Sequence, residues 1–251
     1  MTRALLRTNF NSSRLIRILA DLSIEDGAEP SQAFAERLGQ WLDVADAITL
    51  HAAHSARAAN PPAVLSGGQS GASAGVEEEF ARIRTALANS ITRSCPPKPG
   101  EIRIEGSEAS QLAAAYEPFQ RFYFAHQREM DSSVRPLRAK LRAALTKASP
   151  ALRQLAALDA ALDKILSVRE GKLLATVPLL LEKRFGQLLK AHRQTLVDTR
   201  PADDPALWMQ GGWLAGFGKE LQGVLLAELD VRLQPVVGLI EAFSNEASEH
   251  K

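Results

Sequence analysis

Apolar residues recur every three or four positions along almost the whole chain, and a period of 3.6 residues can bury its apolar stripe only as helix. From Ser13 the stripe runs Leu15, Ile18, Leu19 and Leu22, with Ser12 or Ser13 placed to cap the first turn, so a short helix ending near Ser23 is predicted. After Asp26, Gly27 and Pro30, Ser31 can cap a longer helix carrying Phe34, Leu38, Trp41, Ala45 and Ile48. Joined by a short turn, the two make an N-terminal helical hairpin. Only Glu101–Glu105 alternates charged and apolar residues as a strand does. A lone strand has nothing to pair with, so this stretch is read as extended loop. The predicted fold class is all-α, an elongated helical bundle.

Domain limits come from composition. Residues 59–75, ANPPAVLSGGQSGASAG, are small, uncharged and rich in Gly, Ser and Pro, which is linker chemistry. The expected organisation is therefore a hairpin over 1–58, a flexible linker over 59–75 and a helical body over 76–251. Helix is predicted to resume at Val76, with Glu77, Glu78 and Glu79 at its positive end, and to stop at Pro96, Pro97 and Pro99. Ser107 to Leu196 reads as nearly continuous helix, broken or bent at Pro118, Pro136, the Ser149–Pro150 cap, Gly171 and Pro178. Its strongest stripe is Leu152, Leu155, Leu158, Leu162, Ile165 and Leu166. After a turn over Asp198–Pro205, a last helix reaches about Asn245, bent at Pro235.

Composition narrows the function classes. With 45% apolar and 24% charged residues among 251, the chain is of the soluble globular kind. Its longest nearly unbroken apolar run, Leu173 to Leu181, is interrupted by Pro178 and falls far short of the roughly 20 residues of a membrane-spanning helix. Arg3, Arg7 and Arg14 are spread through the N-terminus without a secretory apolar core, so the expected location is the cytoplasm. Cys95 is the single cysteine, which excludes an internal disulfide and cysteine-clustered metal sites.

Several spellings imitate functional motifs. Gly71-Ala72-Ser73-Ala74-Gly75 has the letters of a hydrolase nucleophile elbow but no preceding strand. Gly211, Gly212, Gly216 and Gly218 before Lys219 suggest a phosphate loop, yet Trp213 and Glu220 stand where glycine and a hydroxyl residue are needed. The Gly212/Gly216 spacing instead suggests close approach of another helix. His51 and His54 lie one turn apart without an evident third ligand, and read as a solvated helix end. His126 sits beside the four aromatic rings of Phe119–Phe124, a cluster that reads as a core anchor. No catalytic, cofactor-binding or metal residues are assigned, and no cofactor is expected.

Charge is segregated although the net charge is only +1. Between Asp131 and Asp159 stand six bases, Arg135, Arg138, Lys140, Arg142, Lys147 and Arg153, and no acid. Arg135, Arg138 and Arg142 form a row along a helix flanked by Val134, Leu137, Leu141 and Leu145. Such a row can hold phosphates, anionic lipid or an acidic helix. Between Asp21 and Asp46, seven acids face one base, Arg37. The candidate partner-binding residues are accordingly Arg135, Arg138, Lys140 and Arg142 on one side and Glu36, Asp43, Asp46 and Trp41 on the other.

The segments Ser13-Arg14-Leu15, Leu19–Leu22, Phe34–Asp43, Asp46-Ala47-Ile48, Phe119–Met130 and Arg135–Arg138 resemble a bacterial helical family known as domain of unknown function 3348. The resemblance implies no catalytic residues. It implies gene neighbours related to proton-channel stators and to OmpA-like peptidoglycan-binding proteins, and hence a cytoplasmic accessory of an envelope-spanning assembly. The expected function is a non-enzymatic helical interaction protein or adaptor, forming a homo-oligomer and docking a helical partner such as the cytoplasmic part of an inner-membrane protein. The alternative is a nucleic-acid or anionic-surface binder using the Arg135 to Arg153 stretch, which the near-neutral net charge disfavours.

Overall fold

The computed structural model describes residues 14–22, 43–55, 69–94, 108–198 and 212–249. It is all-α, and no strand occurs among the described residues. The helices are α1 (Arg14–Leu22), α2 (Val44–Ser55), α3 (Gln69–Arg93), α4 (Glu108–Ala148), α5 (Pro150–Leu174), α6 (Val177–Asp198) and α7 (Trp213–Glu249).

Where sequence punctuation acts through local chemistry, the ends fall as expected. Ser149 caps α5: its Oγ accepts from Leu152 N at 3.1 Å and its carbonyl accepts from Arg153 N at 2.9 Å, with Pro150 in the first turn, where its missing N–H costs nothing. The start of α2 differs from the expectation, which put Asp43 inside a helix capped by Ser31: Asp43 is not helical, and its Oδ1 accepts from Asp46 N at 2.7 Å while Asp46 Oδ2 accepts from Asp43 N at 3.3 Å, a reciprocal capping box. The chain bends at Ala175–Thr176, and the Thr176 carbonyl takes over the first turn of α6 by accepting from Leu179 and Leu180 N.

Other punctuation is overridden. Pro118 and Pro136 lie inside α4, which continues through both, and α5 continues through Gly171. A proline frees the carbonyl four residues earlier, here those of Ala114 and Ser132. Both residues are exposed, so water can serve those carbonyls while the apolar stripe of α4 stays seated on the other side. Gln69–Gly75, predicted as linker, form the first turns of α3; residues 59–68, Glu101–Glu105 and Cys95 lie outside the described residues. The Gly71–Gly75 spelling thus sits within a helix and has no strand-to-helix turn.

The chain divides into two compact units. The first comprises Met1–Ala28, Asn89–Arg128 and Ala175–Val231, and the second Glu29–Ala88, Glu129–Leu174 and Arg232–Lys251.

In the first unit the core is aromatic. Tyr116, Phe119, Phe185 and Phe217 are buried, with ring centroids 5.2 to 6.5 Å apart, tilted, edge-on or offset-stacked as ring quadrupoles favour. Trp213 extends the group to Phe185 at 5.3 Å. Phe119, Tyr123 and His126 are buried, so the aromatic run of α4 anchors the core. Gly186 has its own reason: a Cβ there would come within 3.1 Å of Leu112 Cδ2, so α6 approaches α4 through it. Gly216 does not play the part expected of it, for it is exposed and nothing lies within 4 Å of where its Cβ would be. α1 packs on α6.

In the second unit, Val134, Leu137, Leu141 and Leu145 of α4 are buried as the stripe predicted. On α5, by contrast, the buried residues are Leu152, Ala156, Ala161 and Leu174, and the other leucines of the predicted stripe are half-buried. α5 serves two neighbours, α4 and α2, and small alanines allow the close approach that a leucine would prevent.

Candidate interaction surfaces

The basic row is the strongest charge feature of the sequence, and its geometry decides what it can do. The 3.6-residue period places Arg138 and Arg142 one turn apart on α4, and Asp159 and Asp163 one turn apart on α5. Arg138 donates from Nε and Nη2 to Asp159 at 2.9 and 2.6 Å and from Nη1 to Asp163 at 2.9 Å. Arg142 donates from Nε to Asp159 and from Nη2 to Asp163, both at 2.6 Å. Two planar forks grip two carboxylates, and each guanidinium bridges both acids, an arrangement lysine could not reproduce. Burial opposes the charge of Arg142, but hydrogen bonds and charge from Asp163 and Asp159 outweigh it, and its pKa rises above the ordinary arginine value.

The rest of the row is also engaged. Lys140 pairs with Glu79 of α3, and Arg135 with Asp131 one turn earlier on α4 at 2.7 Å. The Arg138 and Arg142 side chains are only 15% and 19% exposed, whereas those of Arg135 and Lys140 are 73% and 62% exposed, so the inner two do not face water as a phosphate-gripping row would. The partners of Arg138 and Arg142 are thus acids of α5. The run of bases ends at Asp159, the acid that receives them, and the four-residue spacing of Asp159 and Asp163 is the sequence signal for this pairing.

The acidic residues lie elsewhere. Glu36 and Trp41 are outside the described residues. Asp43 and Asp46 cap α2, and Asp46 also faces Arg169 of α5 at 3.9 Å. At the other end of α2, Gln154 of α5 donates to the His54 carbonyl at 2.6 Å, and its amide lies 3.3 Å from His54 Nδ1. Asp46 beside Arg169 and His54 beside Gln154 fix α2 antiparallel to α5. His51 lies 3.3 Å from Ser55 Oγ, an exposed helix end as predicted.

α2 packs on α5; Asp46, Leu50 and Ala53 are its half-buried residues, and it has no buried residue. Its other side carries Val44, 78% exposed, and Ile48, 64% exposed. On α5, Val168 and Leu173 are exposed too. Arg169 faces α2, and Leu173, one turn further, extends that side.

The first unit holds a different polar group. Glu228 of α7 is fully buried and accepts from Tyr123 Oη and from Gln127 Nε2, the latter at 3.0 and 3.1 Å. Gln222, two turns earlier, donates to the carbonyls of Ile91 and Ser94 at 3.1 Å and so closes the C-terminal end of α3. Tyr116 Oη donates to the Pro178 carbonyl at 2.8 Å. Burial, with the charge of Glu182, pushes the Tyr116 phenol well above its ordinary range. Arg184 forks onto Glu220 at 3.0 and 2.9 Å. Each of these groups joins helices to one another.

Among the described residues, no group of three or more His, Cys, Asp or Glu is placed to hold a metal ion, and no helix is long and apolar enough to cross a membrane. No curated protein and no solved structure matches the chain. Residues 1–245, nearly the full length and every helix described above except the last residues of α7, match the family described as protein of unknown function (DUF3348), and the chain belongs to that family.

Proposed function

We propose that this protein is a non-enzymatic helical adaptor that docks a helical protein partner, and that it works in the cytoplasm as an accessory of an envelope-spanning, stator-like or OmpA-like assembly. The observation that carries the reading is the exposed apolar set Val44 and Ile48 of α2 with Val168 and Leu173 of α5. A 12-residue helix is marginal by itself, and one that buries no residue fully gains little from the side it already covers. Covering its outer side would remove apolar surface from water at about 25 cal/mol per Å². The setting rests on the gene neighbourhood that the family resemblance implies. The engagement of Arg138 and Arg142 with Asp159 and Asp163 favours the adaptor over a phosphate-gripping surface.

Crosslinking in the native cell tests the reading. A photoreactive residue in place of Val44, Ile48, Val168 or Leu173 is expected to give a covalent adduct with a protein. A chain that crosslinks to no protein from any of positions 44, 48, 168 and 173 overturns it.

A further inference from the structure

Within the second unit, α5 is seated differently from its neighbours. On α4 the large side chains Met130, Val134, Leu137, Leu141 and Leu145 are buried, and on α7 Leu233, Val236, Leu239 and Phe243 are buried. Polar contacts also tie these helices together and to α3: Asp131 faces Arg232 at 3.6 Å, Lys140 pairs with Glu79, and Ser244 donates to Glu77. α5 is instead pinned near its ends, by Leu152 and Ala156 at the start and Leu174 at the close, with only Ala161 buried between them. Residues 162–173 include none that is buried, and Leu162, Ile165 and Leu166 are half-buried. The contact that joins the middle of α5 to α4 is the clasp of Asp159 and Asp163 with Arg138 and Arg142. A break in the helical path stands at each end, at Ser149–Pro150 and at Ala175–Thr176. α2 rides on α5, tied to it by Asp46 beside Arg169 and by His54 beside Gln154.

An ionic clasp and an apolar seam differ in what opening them costs. Exposing a buried leucine loses its whole transfer energy, whereas separated charges recover the hydration they gave up on closing, which offsets much of the lost attraction. The clasp therefore fixes where α5 lies more than how firmly it is held. The four residues of the docking surface, Val44, Ile48, Val168 and Leu173, all sit on α2 and α5. We propose that α5 with α2 is a strap, which carries the docking surface and lifts from α4 as one piece when the clasp releases, while α4 and α7 keep their apolar seams. The proposal rests on the adaptor reading for what the strap carries, and it gives that surface a control: screening of the clasp by salt loosens its mount.

Hydrogen exchange of the full chain, resolved by peptide, tests the strap. Amides of Val44–Ser55 and of residues 157–173 are expected to share one opening, with protection at least about tenfold below that of residues 134–145 of α4 and 233–243 of α7. Asp159→Asn combined with Asp163→Asn is expected to lower the protection of both strap stretches at least about tenfold, with α4 and α7 staying within about twofold, and Arg135→Ala to move none of them. Raising salt from about 0.05 to about 1 M is expected to lower strap protection about threefold in the parent protein. The variant Arg138→Met, Arg142→Met, Asp159→Leu, Asp163→Leu replaces the clasp by an apolar seam and is expected to lose that response. If α2 and α5 exchange only together with α4 and α7, or if the apolar variant responds to salt as the parent does, the strap is overturned. Exchange as expected without an adduct from any of positions 44, 48, 168 and 173 removes the adaptor reading and leaves the strap. One common unfolding together with an adduct from position 168 removes the strap and leaves the adaptor.

Discussion

The buried carboxyl group of Glu228 depends on its donors. An acceptor removed from water loses the full value of hydration unless donors replace it, and Tyr123 and Gln127 do so from α4. Tyr123→Phe keeps the ring in the core and removes one donor, so it is expected to lower stability by about 1 to 3 kcal/mol in urea unfolding, with an unchanged native spectrum. Tyr116 carries a pH dependence of definite sign. In the unfolded chain its phenol titrates near the ordinary 10.0, whereas in the fold burial and Glu182 keep it protonated to higher pH. Above about pH 10 the unfolded state binds fewer protons than the native one, so the stability this group contributes is present below that value and falls as pH rises. Tyr116→Phe costs the bond to Pro178 at neutral pH, but the decline in urea midpoint between about pH 9 and 11 is expected to be shallower than in the parent protein. Parallel declines would show that the group titrates alike in both states.

Between elements, the cluster of Arg138, Arg142, Asp159 and Asp163 holds α4 to α5. Exposed ion pairs contribute about 0 to 1 kcal/mol, but this one is largely shielded from water and doubly forked. A double-mutant cycle of Arg138→Ala and Asp159→Ala is expected to give a coupling of about 1 to 3 kcal/mol, while the cycle of Arg135→Ala and Asp131→Ala stays within about 0.5 kcal/mol. Equal couplings would mean that burial adds nothing to the inner pair. Single removals from the inner cluster are expected to cost more than the coupling, because the remaining charge is left without its counterpart in a partly dry place.

For the whole molecule, a net charge of +1 with most of the basic row paired to acids gives little long-range attraction for polyanions. Binding to mixed-sequence DNA in low salt is expected to stay at the nonspecific level, and charge reversal at Arg138 and Arg142 to destabilise the fold rather than to abolish a complex. A tight complex that weakens steeply with salt while the variant remains folded would make the row a phosphate grip after all.

The sequence by itself determined the helical class, because a 3.6-residue apolar period has one way to bury itself, and it marked the end that local chemistry makes at Ser149 before Pro150. The buried side of α4 was equally legible in Val134, Leu137, Leu141 and Leu145. Only tertiary structure decided the rest. Pro118 and Pro136 did not end α4, because the carbonyls they free lie on its outer side, and Gln69–Gly75 joined a helix that composition alone reads as linker. Above all, the meaning of the Arg138/Arg142 row depended on which helix came to lie against it. Periodicity tells which side of a helix a charge occupies, but whether that side meets water, a partner or the carboxylates of α5 is settled by packing between distant segments, and no local pattern records it.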